Sequence, residues 1–254
     1  MPADGHYTDF KNIPQRRLRL CYNTRKTQGA SMLIKKITYR ALYLCAVLLA
    51  LTAIVAEFSP KIEVFALAKL TLSALFIAIL VLAARLRNSI TQSGERRRRT
   101  VRATFWAIFA FYLFYLIWLL FFDGSYNRIA SDTGFSTYIT LKTNFVPFVT
   151  IRRYLSNISS DTYASSALFN LVGNLAAFMP LGFFCPLLIK ILRNTWVFIP
   201  LLLVGIAGIE GLQLLLRVGS CDIDDLILNS LGALFIYFLM KLPIAQRFSK
   251  RLDS

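Results

Sequence analysis

Histidine is nearly absent from this 254-residue sequence, which contains only His6. Ser-His-Asp and Cys-His catalysis require an imidazole base beside the nucleophile, and zinc peptidases of the H-E-x-x-H type require paired histidines. The sequence also lacks the G-x-x-x-x-G-K-[ST] phosphate-binding loop and a dinucleotide-binding fingerprint. These routes are therefore excluded, and any catalysis would depend on carboxylates, amides, arginines or a metal ion bound by oxygen ligands.

Acidic residues are also scarce, since 13 Asp and Glu face 29 Lys and Arg and the net charge is +16. Such basicity is typical of nucleic-acid-binding proteins. However, 56% of the residues are hydrophobic and the mean hydropathy is +0.57, whereas a soluble domain is about 45–50% apolar. The composition excludes a soluble enzyme, a disordered chain and a secreted chain stabilised by disulfides.

The apolar residues are concentrated in six segments long enough to cross a bilayer, which takes about 20 residues at about 1.5 Å each. These segments are approximately residues 37–58, 62–84, 103–122, 166–189, 197–216 and 225–242. We therefore predict an all-α polytopic transmembrane bundle of six spans. Residues 37–84 form its N-terminal two-helix hairpin.

The distribution of Lys and Arg predicts the orientation in the plasma membrane, because cytoplasmic loops are enriched in them. With both termini in the cytoplasm, 22 of the 29 basic residues lie on the inner side. Most are in the tail of residues 1–36, which we expect to be disordered, and in the basic loop of residues 85–102. The charge is therefore an orientation signal, and nucleic acid is not expected as a partner. The four cysteines share no oxidising compartment in this arrangement, so no intrachain disulfide is expected.

A long outer connection, residues 123–165, joins the third and fourth spans. Its segment 144–151, NFVPFVTI, is apolar but short and interrupted by proline, so we predict an interfacial or re-entrant element. Arg152 and Arg153 follow directly. They are suited to bind a phosphate headgroup, or else they are ordinary interfacial anchors.

Polar residues in the last three spans recur at helical spacing, so each helix presents one polar edge. They are Asn170 and Asn174, then Glu210, Gln213 and Arg217, and finally Asp225 and Asn229. At a rise of about 1.5 Å per residue, these groups lie within about 12 Å of the outer ends of their helices. Three spans interpreted separately thus place polar groups at matching depth.

This matched depth has two interpretations. Amides can hold a helical bundle together where glycines allow the backbones to approach. The glycines suited to that role are Gly173, Gly205, Gly208, Gly211 and Gly232. Alternatively, the same residues form an outward-facing polar pocket. Glu210 favours the pocket, because a carboxylate in hydrocarbon must be paired, protonated or in contact with water.

Three aspartates, Asp222, Asp224 and Asp225, lie at the start of the last span. A D-x-D-D run can bind a divalent cation through oxygen ligands. The same run is common at a helix start, where Asp accepts backbone N–H groups and offsets the helix dipole. We expect no cofactor, with a metal at these aspartates as the alternative.

Residues 144–151, 169–182 and 210–233 together resemble the VanZ-like family of bacterial membrane proteins. The matching positions are Asn144, Pro147, Phe148, Asn170, Gly173, Asn174, Pro180, Gly182, Glu210, Gln213, Arg217, Asp222, Asp225, Asn229 and Gly232. The resemblance implies a four-helix unit within residues 103–254. The family's namesake is associated with reduced susceptibility to the glycopeptide teicoplanin, which implies a role in the cell envelope.

These observations favour a binding module whose outer pocket, centred on Glu210 and Arg217, engages a membrane lipid such as a cell-wall precursor, or a glycopeptide. An alternative is an enzyme acting on a lipid headgroup, with Glu210 or Asp225 as the acid or base. A structural or transport role is the third interpretation. No paired interrupted spans indicate the inverted repeat that many transporters contain.

Overall fold

The structure, a computed structural model, describes residues 15–58, 66–122, 134–158 and 164–253. The chain divides into two compact units, Met1–Thr100 and Val101–Ser254. The described residues are almost entirely helical, which confirms the all-α prediction. Each unit is built from apolar helices.

The first unit contains two long helices that pack against each other, α1 (Gln15–Phe58) and α2 (Ala66–Ile90). Lys69 near the start of α2 donates a hydrogen bond to the Glu57 carboxylate near the end of α1, with 2.8 Å between Nζ and Oε2. Only 6% of the Glu57 side chain is exposed. An ionised carboxylate buried in an apolar pair of helices requires such a partner.

Two expected irregular regions are largely helical. We expected residues 1–36 to be disordered, but α1 already begins at Gln15. Residues 1–14 lie outside the described residues. The basic loop of residues 85–102 is shortened to residues 91–93, because α2 and the next helix occupy the rest. The reason is local, since Arg, Lys, Leu and Ala are strong helix formers and carry α-helices beyond their apolar segments.

The other elements follow in chain order. They are α3 (Gly94–Phe121), α4 (Phe135–Lys142), β1 (Thr143–Asn144), α5 (Val149–Ile158), α6 (Ala164–Ala177), α7 (Met179–Leu188), α8 (Thr195–Leu215), β2 (Cys221–Asp222), α9 (Ile223–Leu239) and α10 (Pro243–Asp253). A short 3-10 turn, Lys190–Arg193, joins α7 to α8.

Five helical segments in the described part of the chain are long and apolar enough to cross a membrane, one of them being residues 170–188, which combine the end of α6 with α7. A sixth span results if α9 and α10, which meet at 79°, count as one broken span. The predicted fourth span divides at Phe178 into α6 and α7. Pro180 lies in the first turn of α7, where the missing N–H costs no helical hydrogen bond. The helix boundary thus lies at Phe178, two residues before Pro180.

The core of the second unit lies between α7, α8 and α9. Phe178, Ile206 and Tyr237 are almost fully buried there. The rings of Phe198 and Tyr237 stack with their centroids 4.1 Å apart. Apolar packing therefore holds the middle of the bundle, and polar contacts concentrate at its two ends.

Two glycines allow α9 to contact its neighbours through backbone atoms. A Cβ on Gly232 would lie 1.8 Å from the carbonyl oxygen of Leu175 in α6. A Cβ on Gly182 would lie 2.1 Å from the carbonyl oxygen of Ala233. The expectation for the other four glycines is wrong, because no described atom outside the glycine's own stretch of helix lies within 4 Å of the corresponding Cβ position. Those four are Gly173, Gly205, Gly208 and Gly211.

Candidate functional site

A short parallel strand pair joins the long connection to the loop between α8 and α9. Strand β1 pairs with β2, so that Thr143 lies opposite Cys221 and Asn144 lies opposite Asp222. No pattern in the sequence predicted this pairing. It brings the apolar segment of residues 144–151 against the start of α9.

Asp222 holds this connection with both of its carboxylate oxygens. Oδ1 accepts a hydrogen bond from Asn144 Nδ2 at 3.0 Å, and Oδ2 accepts one from Thr150 Oγ1 at 2.6 Å. Oδ1 also accepts from the backbone N–H of Asp224 at 2.9 Å, which makes Asp222 the N-cap of α9. The carboxylate is therefore part of a structural junction.

Asp224 is completely buried, and its carboxylate lies at the N-terminus of α5. Its carboxylate accepts backbone N–H groups from Phe148 at 2.5 Å, Thr150 at 2.7 Å and Ile151 at 3.1 Å. A carboxylate at this position offsets the positive end of the helix dipole. Phe148 adopts a φ of 67°, a left-handed conformation that is unfavourable for a phenylalanine and that the contact with Asp224 stabilises.

These bonds argue against the metal interpretation of Asp222, Asp224 and Asp225. The oxygens of Asp222 and Asp224 already accept N–H and O–H groups of the protein. Among the described residues, no group of three or more His, Cys, Asp or Glu side chains has an arrangement that could hold a metal ion. The structure therefore assigns two of the three aspartates to the fold.

Asp225 is the aspartate that points toward the polar edges of the other spans. Its Oδ1 accepts a hydrogen bond from Asn174 Nδ2 of α6. Glu210 of α8 is only 5% exposed, and its carboxylate lies close enough to Asp225 and Asp222 for their charges to interact. The backbone N–H of Asp222 donates to Glu210. We call Glu210, Asp225 and Asn174 the carboxylate site.

Other residues of the predicted stripes have different surroundings. Gln213 Nε2 donates to the carbonyl oxygen of Leu120, at 2.8 Å, and so joins α8 to α3. Asn229 is buried one turn beyond Asp225, and its Oδ1 has no hydrogen-bond partner in the described part of the chain. Asn170 is exposed on α6. The structure thus brings three of the predicted residues together and leaves Asn170 outside.

The predicted basic residues lie around this end of the bundle. The Arg217 guanidinium lies over the rings of Phe135 and Tyr138, 5.3 Å and 5.7 Å from their centroids. Arg152 and Arg153 are exposed on α5. They remain accessible to an external anion.

Two residues at this end of the bundle, Tyr138 and Thr150, were not identified from the sequence. Tyr138 is buried, and its hydroxyl donates to the carbonyl oxygen of Gly219 at 2.6 Å. Burial raises the pKa of the Tyr138 phenol, and the neighbouring Arg217 charge offsets only part of this rise. Tyr138 lies in α4, a short helix without a clear apolar period, and the partners of Thr150 are distant in sequence, so no sequence pattern identified either residue.

The apolar segment ends in an exposed tip. Phe145 is 71% exposed and Val146 is 62% exposed, although the adjacent Asn144 is tied to Asp222. Exposed apolar side chains beside apolar spans are typical of an element that enters the membrane interface. The interfacial position of residues 144–151 stays a prediction, to which these exposed side chains are suited.

The pKa of the Cys221 thiol depends on the charge of the carboxylate site. Burial raises the pKa of its thiol, and the negative charges of Glu210 and Asp222 raise it further. Removing the Glu210 charge therefore lowers the Cys221 pKa and increases the fraction of reactive thiolate at a given pH. In a chain whose other cysteines are replaced by serine, we expect Glu210→Gln to speed alkylation of Cys221 by a maleimide at pH 8.

The control for this experiment is Glu95→Gln, which removes an exposed carboxylate that pairs with Arg99 on α3. Its alkylation rate should equal that of the parent chain. Equal rates for the parent chain and Glu210→Gln would show that Glu210 does not carry a negative charge near the thiol.

Apolar helices of spanning length, with a buried polar site at one end, define a polytopic helical membrane protein. Within that class, the chain belongs to the VanZ/LLP1 family, whose model matches residues 109–245, more than half of its length. This match confirms the family resemblance. Comparisons with curated proteins and with solved structures give no match.

Proposed function

We propose that the carboxylate site binds a cell-envelope lipid or glycopeptide at the outer face of the plasma membrane, through hydroxyl or ammonium groups of the ligand. The observation that carries the proposal is the neighbouring pair of carboxylates formed by Glu210, which is buried, and Asp225, which is partly buried. Asp222 and Asp224 have several structural partners, whereas within the described ranges the Asn174 amide donates to Asp225 and the Asp222 backbone N–H donates to Glu210.

The chemistry of the pair favours a ligand that donates hydrogen bonds. Ionised carboxylates only accept hydrogen bonds, and two of them in one buried site repel each other. Inside a membrane the cost of each charge is at least about 2.5 kcal/mol. An ammonium group or a set of sugar hydroxyls would lower that cost, because it supplies donors or positive charge.

An apolar groove, lined in part by sequence neighbours of the site residues, supports a ligand with a hydrocarbon chain. The groove has a volume of about 150 Å³ and lies between α7 and α8. Its lining includes Ile209, adjacent to Glu210, and Phe178, one turn beyond Asn174. A polar head at the carboxylate site would therefore have room for part of an apolar chain beside it.

The proposed orientation follows from the charges. Cytoplasmic loops carry the excess of Lys and Arg, so the ends rich in these residues face inward and the carboxylate site faces outward. Arg152 and Arg153 then lie exposed on the outer side, where they can contact a ligand phosphate. A membrane-impermeant maleimide should accordingly alkylate Cys221 in intact cells.

A second candidate function is an enzyme that acts on a lipid headgroup. The proximity of Glu210 and Asp225 favours it, because one carboxyl group can donate a proton while the other accepts one. The two functions differ in their products, since only the enzyme converts a lipid extract on prolonged incubation. If the enzyme recruits a cation, addition of a chelator should stop this conversion, whereas a cation-independent enzyme should be unaffected.

The test is mass spectrometry of the lipids that copurify with the full chain. We expect a defined lipid to accompany the wild type and Glu95→Gln, and to be reduced about tenfold in Glu210→Gln and in Asp225→Asn, because each loses one charged hydrogen bond to the ligand. Glu95→Gln is the matched control, since it changes an acid to an amide on the exposed surface.

Identical lipid profiles in all four proteins would contradict lipid binding and favour the interpretation that the polar residues hold the helices together. Binding of a glycopeptide is tested separately, by measuring the teicoplanin susceptibility of a deletion strain that carries each variant. Full complementation by a chain with both Glu210→Gln and Asp225→Asn would reject a role of the site in that phenotype.

A further inference from the structure

A second cavity lies at the other end of the same helices. Its volume is about 220 Å³, and it lies between the turn after α7, the end of α9 and the helix α10. Three cationic side chains and two neutral polar side chains contribute to its lining. They are Arg193, Lys241, Lys250, Gln246 and Ser249.

The cationic side chains are held in place by the protein. Arg193 donates to the carbonyl oxygen of Pro186 at 2.8 Å and to the carboxylate of Asp253 at 2.5 Å. Lys241 donates to the carbonyl oxygen of Arg193, and its Nζ lies 4.9 Å from the centroid of the Tyr237 ring. These contacts fix two positive charges beside the cavity before a ligand enters.

The positive charge exceeds the negative charge around the cavity. Asp253 also lies 3.9 Å from Arg102 and 3.9 Å from Lys190. Among the described residues, three cationic side chains, those of Arg102, Lys190 and Arg193, thus pair with the single carboxylate of Asp253. The remaining positive charge is available to an anion.

Ser249 is an independent indication of a ligand. Only 6% of the residue is exposed, and its Oγ has no hydrogen-bond partner within the described ranges. A buried hydroxyl without a partner is unfavourable. Because Ser249 lines the cavity, a ligand oxygen there could accept its hydrogen bond.

We infer that this cavity binds the phosphate group of an anionic phospholipid headgroup. A phosphate matches the cationic lining and accepts a hydrogen bond from a hydroxyl. The position favours a lipid, because α7 ends and α8 begins beside the cavity, where spans meet the headgroup region. Helix α10 bends by 79° from α9 and exposes Ile244 and Phe248, four residues apart on one face.

This site is separate from the carboxylate site. It lies at the far end of α9, whose last residue, Leu239, is about 21 Å along the helix from Asp225 at a rise of about 1.5 Å per residue. Gln246, Ser249 and Lys250 also lie beyond residues 109–245, which match the family model. Lipid binding here can therefore hold or fail independently of the proposed function.

The experiment titrates the full chain in detergent with dioleoylphosphatidylglycerol and, separately, with dioleoylphosphatidylcholine, and counts bound lipids by native mass spectrometry. We expect the phosphatidylglycerol affinity to be about tenfold lower for a Ser249→Ala and Lys250→Gln double variant than for the wild type. Arg251→Gln is the control, because it removes one positive charge of α10 outside the cavity lining. Its affinity should stay within about twofold of the wild type.

Further measurements separate binding from structure and lipid from free phosphate. Ser249→Ala should melt in detergent at the wild-type temperature or higher, because it removes a hydroxyl that lacks a partner. A lower melting temperature would overturn the ligand role of Ser249. Displacement of the lipid by millimolar inorganic phosphate would overturn the lipid assignment. Equal binding of both lipids, or equal loss in Arg251→Gln, would overturn the cavity as an anionic site.

Discussion

Gly232→Ala is expected to destabilise the second unit by about 3 kcal/mol or more, because the new methyl group overlaps backbone atoms. The Cβ would lie 1.8 Å from the Leu175 carbonyl oxygen and 2.8 Å from its carbon. Backbone atoms cannot rotate away as a flexible side chain can, so α9 and α6 must separate. Thermal unfolding in detergent should show a decrease of about 6–12 °C in Tm.

Glycines in the same helices or in α8 provide the controls for this prediction. Gly173 lies in α6 and Gly205 lies in α8, and for neither does a described atom outside its own stretch of helix lie within 4 Å of the Cβ position. Alanine at these positions should be neutral or should stabilise the helix by up to about 1 kcal/mol. A Gly232→Ala protein with the Tm of the wild type would mean that α9 and α6 do not meet through their backbones at this point.

Asp224→Asn is expected to destabilise the junction between α5 and α9 by about 3 kcal/mol, because hydrogen bonds to a charged group are worth about 1.5–3 kcal/mol each. The carboxylate accepts three backbone N–H groups, from Phe148, Thr150 and Ile151. An asparagine side chain keeps one acceptor oxygen and turns an NH₂ group toward N–H donors. It also removes the negative charge at the start of α5.

Hydrogen exchange measures this effect locally. The amides of Thr150 and Ile151 should exchange faster in Asp224→Asn, together with a decrease in Tm. Asp225→Asn is the matched control, since Asp225 accepts from the Asn174 amide and caps no helix. It should leave exchange at Thr150 unchanged, even where it abolishes lipid retention. Unchanged exchange in Asp224→Asn would contradict the structural role that separates the two neighbouring aspartates.

The membrane spans of this protein could be predicted from its sequence, because a span requires only one apolar segment of sufficient length. The predicted segment of residues 197–216 differs from α8 (Thr195–Leu215) by one or two residues at each end. The polar edges on the last three spans were equally visible, because an α-helix repeats every 3.6 residues. The family motifs in the same segments agree with the family match.

The role of each polar residue depended on contacts between distant parts of the chain. Asp224 and Thr150 are 74 positions apart, and Gln213 and Leu120 are 93 positions apart. Asp222, Asp224 and Asp225 are therefore indistinguishable from the sequence. In the structure, Asp222 and Asp224 accept hydrogen bonds from residues of β1 and α5, whereas Asp225 accepts one from Asn174. The same holds for glycine, since Gly232 meets a backbone and Gly205 does not. Helical periodicity specifies the face on which a residue lies, whereas its function depends on which partner reaches that face.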